Sequence, residues 1–103
     1  MGVPKRHYIR ALQNLAHALA YNESVKKARQ LNEETSEEVL TSFIFEKKKE
    51  ISEKEFYYLA GRATQFTIDE ADEMGIDSLN AAAGGIGMFE EFIEIEESEE
   101  NDQ

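Results

Sequence analysis

The sequence predicts an all-α fold: a compact bundle of four to five helices followed by an acidic, partly disordered C-terminal tail. Two patterns carry that expectation. Apolar residues recur at three- and four-residue steps from Ile9 to Ala83. Helix-capping pairs then stand at Thr35/Glu38, Ser52/Glu55 and Thr67/Glu70, where a hydroxyl and a carboxylate each satisfy an orphan amide at a helix start. A chain of 103 residues with one proline has room for one core. Residues 1–96 are expected to form a single helical domain and residues 97–103 a flexible acidic tail.

The first helix is expected from about Pro4 to Tyr21, with Ile9, Leu12, Ala16 and Leu19 on one face and a proline where a first turn tolerates it. The stripe then shifts to Val25, Ala28 and Leu31. A bend near Asn22–Ser24 explains the shift, with a second short helix as the alternative. Thr35 with Glu38 opens a helix over about 36–50, whose apolar face is Val39, Leu40, Phe43 and Ile44. Ser52 with Glu55 opens another, in which Phe56, Leu59, Ala60, Ala63 and Phe66 run at helical spacing. Gly75 reads as a helix C-cap and Asp77 as the next N-cap, ahead of Leu79, Ala82 and Ala83.

Glycines 84, 85 and 87 should weaken a helix at "GGIG", at about 1 kcal/mol each relative to alanine. Their better use is a close helix crossing or a hinge. Beyond them Phe89, Phe92 and Ile93 fit a helix, whereas Ile93 and Ile95 alternate with Glu94 and Glu96 as in a strand. Both readings stay open.

Charge excludes more than it assigns. The formal net charge is −11, unevenly spread. Residues 1–31 hold six basic groups against one acid, residues 32–62 have a net of −3, and residues 63–103 carry thirteen acids and no Lys or Arg. Such a chain is electrostatically polarised. With no cysteine, disulfides, thiolate metal sites and cysteine nucleophiles are excluded. His7, Arg10, Gln13, Asn14 and His17 interrupt any signal-peptide core, Arg6 spoils a myristoylation signal, and no apolar run spans a bilayer. A cytoplasmic protein without membrane contact is expected.

Asp69-Glu70-Ala71-Asp72 resembles the motif that names the DEAD-box helicases, in which the first Asp helps bind magnesium and the Glu positions a water. The resemblance covers about nine residues, "FTIDEADEM". No G-x-x-x-x-G-K-[ST] loop accompanies it, and the chain is short for a nucleotide-binding sheet. The local alternative is a helix start capped by Thr67 and Glu70, ending after two turns at Gly75; a competing one is a short strand over Thr64, Phe66 and Ile68. A calcium loop fails, because it would place Met74 among the ligands and Ala81 where a bidentate glutamate belongs. No Glu-x-x-His pair supports a di-iron bundle, and His7 and His17 are not at ligand spacing. "GGIG", close to Glu90 and Glu91, should repel phosphate. Tyr57 and Tyr58 cannot both face one core stripe, so Tyr58 lies either at the core rim or on a recognition surface.

The functional expectation is therefore a protein–protein interaction module without catalysis or cofactor. Its acidic face would comprise Asp69, Glu70, Asp72, Glu73, Asp77, Glu90, Glu91, Glu94 and Glu97. From Glu90 to Asp102 eight acids fall in thirteen residues. As a helix, that is roughly one charge per 2.4 Å, against about one per 1.7 Å in duplex DNA. Such a face fits the basic groove of a nucleic-acid-handling protein, as an inhibitor would occupy it, with no direct contact to nucleic acid. A self-associating adaptor subunit is the alternative, in which Lys5, Arg6, Arg10, Lys26, Lys27 and Arg29 meet an acidic partner or the acidic half of another copy. A small metal- or nucleotide-binding protein is a third.

Overall fold

The computed structural model describes residues 5–73, 75, 84–85 and 87–88, with backbone alone for residues 5 and 6. It is an all-α bundle of four helices, α1 (Lys5–Tyr21), α2 (Val25–Glu33), α3 (Glu37–Lys48) and α4 (Glu53–Glu73). Among the described residues there is no strand and no helix long and apolar enough to cross a membrane.

α1 is the hub, packing against each of the other three helices. That role explains why its buried set is wider than one amphipathic stripe: Ala11, Leu12, Leu15, Ala16, Leu19 and Ala20 are all buried. A helix touched from three sides needs apolar or small residues around most of its circumference. Ala28 and Leu31 close the core from α2, Leu40 and Ile44 from α3, and Phe56, Ala60 and Ala63 from α4.

The chain between α1 and α2 does more than bend. Ser24 is extended and accepts a hydrogen bond from the Lys27 amide, so α2 starts afresh with its own N-cap. Val25, expected on the apolar stripe, is 47% exposed. The α3 cap is Ser36, one residue past the expected Thr35; its hydroxyl accepts from the Val39 amide. Val39 itself is 47% exposed, and the buried face of α3 is Leu40 and Ile44 with Phe43 partly covered. Glu37 and Glu38 in the first turn, with Lys47 and Lys48 in the last, suit the helix dipole at both ends. Lys47 also donates to Glu23, in the α1–α2 turn, and pairs with Glu50; both carboxylates raise its ammonium above the ordinary value.

Ser52 caps α4 as expected, accepting from the Glu55 amide. The helix then runs unbroken for 21 residues through the "DEAD" letters. Thr67 and Glu70 are therefore mid-helix residues and not a capping box, and the strand over 64–68 does not form. The stripe that decides this is Phe56, Ala60, Ala63, Thr67 and Ala71, all buried at helical spacing. Thr67 occupies the place that Phe66 was expected to fill, and Phe66 turns outward, 55% exposed. Gly75 adopts φ +70 and its amide donates to the Asp72 carbonyl, so the expected glycine cap is present, at the end of a helix of 21 residues instead of one of two turns.

Gly84, Gly85, Gly87 and Met88 have helical backbone. A Cβ on Gly84 would lie 2.6 Å from the His7 carbonyl carbon, and one on Gly85 would collide with the Thr64 side chain. These glycines thus let a segment approach the α1 backbone at His7 and the Thr64 side chain of α4 closely, the close-crossing alternative. Met88 completes the core. The expectations for Asp77–Ala83, for helix or strand over 89–96 and for the tail lie outside the described residues.

Candidate functional site

α1 and α4 run antiparallel, so that Arg10 and Asn14 of α1 meet Glu70 and Thr67 of α4. Arg10 grips Glu70 bidentately, with Nε donating to Oε1 at 3.0 Å and Nη2 to Oε2 at 2.6 Å. Its remaining arm, Nη1, donates to Asn32 Oδ1 and to Gln13 Oε1. Beneath this pair Asn14 is buried and its Nδ2 donates both to Thr67 Oγ1 at 2.8 Å and to Glu70 Oε1 at 3.1 Å. The Thr67 hydroxyl spends its proton on the Ala63 carbonyl, so it can only accept from Asn14. Gln13 extends the network by donating to the Glu34 carbonyl at 2.6 Å.

Glu70 is drawn two ways. Burial would raise its carboxyl, but the hydrogen bonds from Arg10 and Asn14 and the Arg10 charge outweigh it and hold the group below the ordinary range. The sequence placed Glu70 on an acidic face and Arg10 among partner-seeking cations. The structure joins them to each other.

Above the clamp, a cleft of about 460 Å³ opens between the two helices. Arg10, Asn14, His17 and Tyr21 form the α1 side at steps of four, three and four. Leu59, Arg62, Ala63 and Phe66 form the α4 side, and Asn32 of α2 closes one end. His17 Nδ1 donates to the Ala28 carbonyl, which leaves Nε2 as the acceptor of the neutral ring. The His17 and Tyr21 rings lie 5.8 Å apart. Arg62 donates to the Tyr58 hydroxyl and stands 5.8 Å over its ring; among the described residues it meets no carboxylate.

The outer face of α4 is a second feature. Tyr58, Arg62, Phe66, Asp69 and Glu73 follow at steps of four, four, three and four, which places them on one exposed stripe with Asp72 at its edge. Tyr58 is 60% exposed while Tyr57 packs against the core, so Tyr58 stands clear of the rim. Asp69 accepts from Gln65. Lys26, Lys27 and Arg29 are exposed on α2, apart from this stripe. The side chains of Lys5 and Arg6, and residues Asp77, Glu90, Glu91, Glu94 and Glu97, lie outside the described residues.

Sequence reasoning missed Asn14, Asn32 and Arg62 as site residues. A signal existed for α1, where Arg10, Asn14, His17 and Tyr21 make a polar stripe beside the apolar one. Asn32 and Arg62 join it only through tertiary packing. No group of three metal-ligating side chains occurs among the described residues. No protein family, curated protein or solved structure matches the chain.

Proposed function

We propose that the protein is an interaction module that docks through the outer face of α4 onto a protein with a basic, nucleic-acid-binding surface, and inhibits it by occupation. One observation carries this reading. Asp69, Asp72 and Glu73 are exposed carboxylates in the last two turns of α4, in a helix with no basic residue in its last turn. Negative charge there meets the negative end of the helix dipole, and the acids repel one another at i, i+3 and i+4. Each costs the fold about 0.3–1 kcal/mol. Residues that oppose the helix carrying them are retained for a partner more readily than for stability. The same stripe supplies Tyr58 and Phe66, exposed aromatics of the kind that anchor interfaces, with Arg62 between them.

The stripe therefore offers apolar anchors at one end and negative charge at the other. Basic nucleic-acid-binding grooves, which stack bases on aromatic and apolar walls and hold phosphates with Lys and Arg, have the complementary composition. Affinity purification on the immobilised protein tests the reading, with wild type compared against Asp72→Lys/Glu73→Lys and Tyr58→Ala. The captured protein is expected to handle nucleic acid, to be released by added duplex DNA or by salt, and to be lost with the charge-reversed variant. Capture that survives high salt, ignores DNA and is indifferent to both variants refutes it.

A further inference from the structure

We propose that the α1–α4 cleft binds a nucleoside monophosphate: a planar ring carrying an N–H donor, joined to one anionic group. The volume, about 460 Å³, falls among small-molecule sites, which span about 300–1,000 Å³. Three independent features select the ligand's chemistry.

The first is an acceptor fixed in the floor. Asn14 is 7% exposed, and its amide orientation is not adjustable: both of its neighbours, a committed threonine hydroxyl and a carboxylate, can only accept. Its Nδ2 must face them, so Oδ1 is left for the cleft, with no protein donor among the described residues. Open to the cleft, that oxygen is a fixed acceptor that a ring or exocyclic N–H can satisfy in place of water.

The second is the sign of the walls. The protein carries twice as many acidic as basic residues, yet among the described residues no acidic side chain lines the cleft. Glu70, at its base, is neutralised by Arg10. Arg62 remains as a cation facing the cleft, with most of its donors uncommitted among the described residues, and guanidinium pairs well with phosphate. The rest of the protein's negative charge is screened beyond about 8 Å at physiological ionic strength.

The third is shape. Tyr21 and Phe66, 56% and 55% exposed, stand on opposite helices at the mouth, with Ala18 and Ala63 between them. Aromatic side chains flanking a floor of small residues suit a flat ring, and base stacking on such side chains is sequence-tolerant. The site differs in place and composition from the acidic face, although Arg62 and Phe66 belong to both. Failure of one reading therefore leaves the other standing.

The test is a titration of the isotopically labelled full chain, followed by amide and side-chain NMR, with AMP, CMP, GMP and UMP. Adenosine and inorganic phosphate are the separate arms. Saturable shifts at Asn14, His17 and Tyr21 are expected from at least one nucleotide, with clearly weaker binding of adenosine and of phosphate. Arg62→Gln should weaken binding about tenfold and Phe66→Ala about fivefold or more. Both side chains are exposed, and an unchanged thermal melt confirms that each variant folds. The proposal is overturned if no nucleotide moves these resonances at millimolar concentration, if phosphate alone binds as well as the nucleotide, or if both variants bind like wild type.

Discussion

Replacing Glu70 by glutamine removes one charge and no volume, and its consequence follows from the clamp geometry. Glu70 accepts three hydrogen bonds, two from Arg10 and one from Asn14. The amide of Glu70→Gln keeps one good acceptor, and its NH₂ opposes the Arg10 donors. A fully buried ion pair broken on one side costs about 3–5 kcal/mol. Here the side chains are 33% and 24% exposed, so water reaches both and the cost falls to about 1–2 kcal/mol. For a domain of this size that lowers Tm by about 5–15 °C.

Acidity supplies the control. The folded carboxyl titrates below its ordinary value of 4.5. Its contribution is therefore complete above that value and is lost as pH falls through the lower folded one. Urea unfolding of wild type and Glu70→Gln at pH 7 should show the full gap, and the two curves should converge as the pH is lowered below about 4.5. A gap under about 0.3 kcal/mol at pH 7, within the range of ordinary surface substitutions, would refute the clamp. So would a larger gap that persists unchanged in acid.

The remaining predictions use the same unfolding assays. Glu73→Lys should stabilise the fold by about 0.5–1.5 kcal/mol, because it removes a charge from the wrong end of the dipole and attracts Asp69 at i, i−4; destabilisation would undo the argument for function. Gly61→Ala should stabilise by about 0.5–1 kcal/mol, since Gly61 lies inside α4 with nothing within 4 Å of a new Cβ. Gly84→Ala should destabilise by about 1–3 kcal/mol, because its Cβ meets the His7 backbone. Thr67→Val, which preserves volume but takes away the acceptor of Asn14, should cost about 1–2 kcal/mol.

The helices were legible wherever a local rule decided them. The Ser52 cap, the glycine that ends α4 and the apolar spacing of α1 all depend on residues within a turn of each other. Errors occurred where two local rules competed. Thr67/Glu70 satisfies the capping-box pattern, but Ala63, Thr67 and Ala71 continue the buried stripe of Phe56 and Ala60, and burial of that stripe outweighs a cap that would have broken it. Phe66 looked like core because it is large and apolar, but the core position one residue later belongs to a threonine that Asn14 can satisfy. No composition rule shows that exchange, since it depends on which polar residue of α1 lies opposite.

The same contact changes how the charge asymmetry is read. A head-to-tail assembly needs its cations free, yet Arg10 is committed to Glu70 inside the domain, and Lys47, which belongs to the middle of the chain, is held by Glu23 and Glu50. Among the described cations of residues 1–31, Lys26, Lys27 and Arg29 remain exposed on α2. The acidic side loses one member to the clamp as well, but keeps Asp69, Asp72 and Glu73 outward. These pairings engage Arg10 and Lys47 with Glu70, Glu23 and Glu50, and leave Asp69, Asp72 and Glu73 exposed on α4. The proposed docking onto a foreign basic surface would use those exposed acids, whereas pairing between copies would also need cations such as Arg10 that internal pairing engages. The four letters at 69–72 share in that division: Glu70 and Ala71 face the core, and the two aspartates face solvent.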